Sequence, residues 1–168
     1  ESSLPVYEDR RWGIIDYFVE QKRLGRIRHL GFSSHGQPDN LRRFLDAHGK
    51  DMEFCQIQLN YLDWTLQDAK QKYELLTERS IPVWVMEPLR GGKLATLPEA
   101  AEAKLRTLIP TASDCDWAFR WLQGLENVVM ILSGMSAPEQ MRQNAESFAA
   151  CRPLAAEEEK ALLEIADT

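Results

Sequence analysis

Residues 54–61 read Phe-Cys-Gln-Ile-Gln-Leu-Asn-Tyr, and the alternation within that run decides between two folds. Gln56, Gln58 and Asn60 occupy one parity, and Cys55, Ile57, Leu59 and Tyr61 the other. In an extended strand successive side chains point to opposite faces, so the run predicts one amide face and one apolar face. A doubly wound sheet carries helices on both faces and wants strands apolar on both sides. Three amides pressed under a helix without partners would be costly. In a parallel barrel one strand face lines an interior whose mouth receives ligand, and amides find polar partners there. The stripe therefore favours a barrel.

Outward from this run the same phrase recurs: an amphipathic helix, a polar turn, a short apolar strand, then small or polar residues. A helix over about 11–24, with Trp12, Ile15, Phe18 and Val19 at helical spacing, leads past Gly25 to a strand at 27–32 that ends in Ser33-Ser34-His35-Gly36. Pro38 and Asp39 open a helix with Leu41, Phe44 and Leu45 on one face, ahead of the strand at 54–61. A helix over about 66–79 aligns Ala69, Tyr73 and Leu76 and leads to a strand at 83–86. Residues 88–112 are a longer connection, after which Ser113 and Asp116 form a capping box for the helix of Trp117, Ala118, Trp121 and Leu122. The last strand, 128–132, precedes a helix with Met141, Ala145 and Phe148, and an acidic helix at about 155–166 follows. Strand starts at 27, 54 and 83 lie 27 and 29 residues apart, the length of one parallel crossover unit. A closed barrel needs eight strands and roughly 250 residues, so four strands predict half of an α/β, (β/α)8 TIM barrel.

The totals narrow the function classes. With 168 residues, 44% of them hydrophobic and 27% charged, the chain suits one globular domain. Its net charge of −6 argues against nucleic acid or an anionic membrane as partner. Cys55, Cys115 and Cys151 are odd in number and widely spaced, so no disulfide framework or metal site is expected, and a reducing cytoplasm is. Neither a transmembrane run nor a signal peptide is evident, and the opening at Glu1 without a methionine suggests a piece of a longer protein.

Barrel chemistry sits at the carboxyl ends of the strands, and every strand here ends in small or polar residues. No Gly-x-Gly-x-x-Gly or Walker-type phosphate motif occurs. Gly91-Gly92 can let backbone N–H groups approach an anion, and Gly134-Met135-Ser136 precedes a helix N-terminus, a second seat for phosphate.

Four strings in order, KRLGRIRHLGFSS, QIQLNY, VMEPLRGGKL and ILSGMSAPEQMRQN, resemble the aldo-keto reductase family over nearly the whole chain. The spellings QLNYLDW and MEPLRGGKL are most similar to the bacterial branch that often carries a ferredoxin-like iron–sulfur extension. The resemblance implies that residues 1–168 are the C-terminal half of the barrel, its fifth to eighth units, and that they bind a nicotinamide dinucleotide, NADP or NAD. It places Ser33, Ser34 and Gln56 at the carboxamide, with Gln58 the rival to Gln56, and Met86 where the family stacks a tyrosine on the nicotinamide. The loop of Glu87, Leu89, Arg90, Gly91 and Gly92 would close over the pyrophosphate. Gly134, Met135, Ser136, Gln140, Gln143 and Asn144 would meet the adenosine side. Neither Gly134 nor Gln140 offers the positive charge that NADP-preferring relatives use there, and Arg142 is one helical step off, so the sequence leans only slightly from NADPH toward NADH.

The family's catalytic Tyr, Lys, Asp and His have no counterpart in these strings. Tyr61, Tyr73, Lys93 and His35 do not match those motifs and receive no catalytic role; His35 is expected to line the cleft or cap its loop. The expectation is a fragment of an NAD(P)H-dependent reductase acting on a small-molecule carbonyl, inactive by itself. The alternative is a non-catalytic half barrel or nucleotide-sensing partner module. Either needs a missing N-terminal half barrel or a second copy to cover the open strand edges.

Overall fold

The computed structural model describes residues 3–166, and its order follows from the helix-then-strand phrasing. Helices α1 (Leu4–Glu8) and α2 (Ile14–Arg23) precede strand β1 (Gly31–Ser34); α3 (Pro38–His48) precedes β2 (Phe54–Gln58). Helices α4 (Asp63–Leu66) and α5 (Ala69–Glu78) precede β3 (Val83–Met86). Next come α6 (Glu99–Arg106) and α7 (Asp114–Gln123), β4 (Val128–Ile131), α8 (Pro138–Ser147) and α9 (Ala156–Ala166). The four strands form one parallel sheet in the order β1-β2-β3-β4, with β1 and β4 as its edges.

Over Phe54–Gln58 the parity read from the sequence is the parity of the sheet; beyond it Leu59, Asn60 and Tyr61 are all buried, so the third amide of the expected stripe does not face the open side. Cys55, Ile57, Val83 and Val85 are wholly buried and pack with Leu41 and Leu45 of α3, Leu75 and Leu76 of α5, and Trp117 and Leu122 of α7. Burying each such side chain contributes roughly 1.5–3 kcal/mol, which makes this face the main source of cohesion. Phe54, Gln56, Gln58, Trp84 and Met86, on the other parity, remain half-buried on a face without helices. Ser113 caps α7 as its spacing predicts, its hydroxyl accepting from the Asp116 N–H at 3.2 Å.

Several boundaries differ from expectation, each for a reason of pairing. The first strand begins at Gly31, not Ile27, because its partner is still a 3-10 turn at Gly49–Asp51 and ladder pairing starts only at Phe54. In the gap the Glu53 carboxylate takes the Leu30 N–H at 2.8 Å, where a ladder carbonyl would otherwise stand. The second strand ends at Gln58 rather than Tyr61, and the helix expected at 66–79 is split at Gln67-Asp68, where Asp68 is left-handed with φ 51°. The connection 88–112 contains α6, and Leu105 of that helix is buried. The first expected strip of helix contacts is only half realised: Ile15 and Val19 pack inward, whereas Trp12 and Phe18 are exposed. Met141 of α8 also faces outward, and Phe148, just past the end of that helix, is partly exposed while its ring packs on the buried Phe119. In β4 the register skips Val129 between Val83 and Trp84, and Val129 is 60% exposed at the sheet edge.

Candidate cofactor site

The carboxyl ends of β1, β2 and β3 bring three of the sequence-predicted residues onto the open face. Ser33 is in register with Gln56, and Gln58 with Met86. Parallel partners in register point the same way, so Ser33, Gln56 and Met86 share a surface. The Gln56 amide donates to the Met86 sulfur, Nε2 to Sδ at 3.4 Å, a weak acceptor for a strong donor. Gln58 is differently employed: its Nε2 donates to Asp63 Oδ2 at 2.8 Å. The two glutamines that the sequence left as rivals thus differ in freedom, with Gln56 the uncommitted one. Ser34 is in register with Ile57, so strand alternation turns it toward the helix side. With Ser33 and His35 it lines a cavity of about 500 Å³ beside the edge strand β1.

Lower on the same face, Phe54 stacks on Trp84 with centroids 3.9 Å apart and planes 11° from parallel. This aromatic pair floors the open face beneath Gln56.

Above β3 the loop of Glu87, Pro88, Leu89, Arg90, Gly91 and Gly92 is wound left-handed at four positions, with φ of 57° at Glu87, 48° at Arg90, 63° at Gly91 and 89° at Gly92. Glycine tolerates this; Glu87 and Arg90 each incur roughly 1 kcal/mol or more. What holds them is a carboxylate that the sequence reading did not single out. Asp63 is fully buried and accepts from Gln58 Nε2, from Asn60 Nδ2 at 2.7 Å and from Arg90 Nε at 3.0 Å. Asn60, also fully buried, donates to the Glu87 carbonyl at 2.9 Å and accepts the Asp63 N–H at 2.8 Å. Lys72 is buried close by; burial pulls its ammonium below the usual lysine range, and Asp68 and Asp63 oppose that shift. A signal for Asp63 did exist: Asn-x-x-Asp after a strand is the spacing of a helix N-cap with an acidic third residue.

The last strand end is separate. Asn144 Nδ2 donates to Ser133 Oγ at 3.1 Å, tying α8 to the end of β4. Gln140 Oε1 accepts the N–H groups of Ser136 at 2.8 Å and Ala137 at 3.1 Å. It fills two of the donors that the sequence offered to a phosphate. Gly134, Met135, Ser136 and Gln143 are exposed, with open space around Gly134. Tyr61 is a core residue, 2% exposed; burial foremost, with Asp114 and Cys115 nearby, pushes its phenol well above the usual range. Among the described residues no group of three or more His, Cys, Asp or Glu is placed to hold a metal, and no helix is long and apolar enough to cross a membrane.

A four-strand parallel sheet with helices on one face and an open face on the other is half of a (β/α)8 barrel, and residues 7–167 match the model of the aldo/keto reductase family. The chain belongs to that family. It is similar to solved aldo-keto reductase structures, among them that of Bacillus halodurans. The holo form of that protein has 25% identity and a TM-score of 0.71 over 90% of this chain and 54% of its own. The apo form has 25% identity and a TM-score of 0.73 over 94% and 58%. An aldose reductase from Giardia lamblia, at 18% identity, shares the fold with a TM-score of 0.67 over 90% of this chain and 49% of its own. No curated protein matches. The chain therefore spans about half the length of the aldo-keto reductases it resembles.

Proposed function

We propose that this aldo-keto reductase segment supplies the dinucleotide-binding surface of an NAD(P)H-dependent oxidoreductase that reduces a small-molecule carbonyl. The observation that carries the proposal is Gln56: a half-buried amide on the open face whose side-chain hydrogen bond goes to the Met86 thioether. Such an amide has both a donor and an acceptor to exchange with a carboxamide, and Ser33 stands beside it in register. The residues present thus fit a nicotinamide. When bound, the cofactor supplies the hydride.

The chain's own residues orient and exclude. Ser33 and Gln56 hold the carboxamide and so fix which ring face looks into the lumen. The Met86 thioether packs against the ring, a polarizable contact where a tyrosine would stack. Leu89, Gly91 and Gly92 bring loop backbone over the phosphates, with Glu87 and Arg90 at its turns. Ser133 to Asn144 present the adenosine side, where neither Gly134 nor Gln140 carries positive charge, which favours NADH over NADPH. The role of Ser34 is the least direct, given its register with Ile57. Proton transfer to the carbonyl oxygen is assigned to none of these residues; Tyr61 is buried and its phenol is pushed up. A complementary half barrel along β1 and β4 would complete the lumen and its substrate pocket.

Titration of the chain with NADH and NADPH, followed by tryptophan fluorescence, tests this reading. The parent is expected to bind with NADH at least as tight, and Gln56→Ala to weaken binding about ten-fold, as for loss of one hydrogen-bonding partner. No turnover of a model aldehyde is expected from the chain alone. Absence of binding, or indifference to Gln56→Ala, would overturn the proposal.

A further inference from the structure

We infer that Asp63 is a positioning residue: through Arg90 and Asn60 it sets the left-handed path of the loop after β3. Asp63 lies 27 residues before Arg90, at the start of α4, and is wholly buried while the Arg90 side chain is 27% exposed. A buried carboxylate without partners would be strongly unfavourable, yet this one collects three side-chain donors. Two of those donors, Gln58 and Asn60, lie just before it in sequence and fix the carboxylate before the loop is considered. The third, Arg90, is the loop residue with φ 48°, and the Asn60 amide holds the carbonyl of the other non-glycine left-handed residue, Glu87. Both strained positions are thus tied, one directly and one through a single residue, to the same acid. Strained backbone persists where its surroundings over-determine it, and here the surroundings are polar, specific and local.

The arrangement also decides what Arg90 is for. Its Nε is turned to Asp63, which anchors the guanidinium to the protein through one of its five N–H donors. Beyond it Gly92 has open space around its α-carbon. The benefit to a dinucleotide is a preset loop, since a loop already in its bound path loses less freedom on binding. That benefit rests on the dinucleotide reading above, whereas the clamp does not.

The test is amide hydrogen exchange on the chain and on Asp63→Asn, Arg90→Gln and the double variant, together with NADH titration. If Asp63 positions the loop, each single change speeds exchange of residues 87–94 by about ten-fold, the size expected for losing a hydrogen bond to a charged group, and the double variant is no faster than the singles. Exchange at Cys55, Ile57, Val83 and Val85 stays unchanged. Unaltered loop exchange in Asp63→Asn overturns the inference. So does a rise spread equally over the sheet, which marks a general fold defect, or additive effects in the double variant. Should the exchange pattern hold while the parent binds no NADH, the clamp stands and the dinucleotide reading falls.

Discussion

The ring of Phe54 lies 2.6 Å from the point where a β-carbon on Gly31 would stand. Gly31 and Phe54 are register partners on β1 and β2, and the ring is held against Gly31 by its stack on Trp84 of β3. A missing side chain on one strand is thus the space that lets an aromatic cross the floor of the open face. Gly31→Ala forces a methyl group into a stacked ring and is expected to destabilise the chain by about 1–3 kcal/mol, the usual range for overpacking. Because Phe54→Ala removes the obstacle, the double variant should lose less than the two singles combined. Urea midpoints for the three variants measure it, and simple additivity would show that the ring is free to move aside.

Glu53 joins the end of α2 to the start of β1. Its carboxylate meets Lys22 Nζ at 2.8 Å, the Leu30 N–H at 2.8 Å and His29 Nδ1 at 3.3 Å. The Lys22 hydrogen bond first, then the Leu30 N–H, bring its carboxyl from 4.5 down to about 2, against a small opposing effect of burial. A carboxyl with a depressed folded value stabilises the fold fully above its unfolded value, and that contribution is lost as pH falls through the folded one. The stabilisation should therefore be complete above about pH 4.5 and fade toward about pH 2. Glu53→Gln is expected to narrow its stability gap to the parent over that window in acid denaturation. A gap that does not change with pH would mean that Glu53 acts only as a neutral hydrogen-bond acceptor.

How much of this was legible in the residues depends on the range of the interaction. Alternation over 54–58 marks the two sheet faces, because side-chain parity is local and burial of Cys55 and Ile57 follows from it, whereas Asn60 leaves the stripe and is buried. The 27- and 29-residue spacings gave the parallel order for the same reason. The start of β1 differs from expectation because Ile27 and Leu30 are as apolar as strand residues, while ladder pairing with the neighbouring strand begins only at Phe54. Trp12, Phe18, Met141 and Phe148 show helical periodicity correctly but say nothing of what they pack against, and they are exposed. In the site, Gln56 and Met86 could be placed by motif, but the commitment of Gln58 to Asp63 could not. Nor could the Asp63–Arg90 contact, which joins the start of α4 to the loop after β3, 27 residues apart in sequence. Local periodicity carries no information about such pairs.

Gln140 separates a structural from a binding role at the fourth strand end. Its Oε1 accepts the Ser136 and Ala137 N–H groups at the start of α8, where aligned peptide dipoles favour negative charge. Gln140→Glu keeps an acceptor in the same place and adds a charge of the favoured sign, so the helix should be stabilised by about 0.3–1 kcal/mol, read from thermal or urea midpoints. Arg142 is already paired with Glu139 at 2.6 Å, leaving the new carboxylate unneutralised from that side. A dinucleotide whose phosphate or ribose approaches Ser136 would meet like charge, and NADH and NADPH affinity should both fall, NADPH the more for its additional phosphate. A variant that is stabilised yet binds both nucleotides as the parent does would remove Gln140, Ser136 and Gly134 from the adenosine side and confine the dinucleotide contacts to β1, β2 and β3.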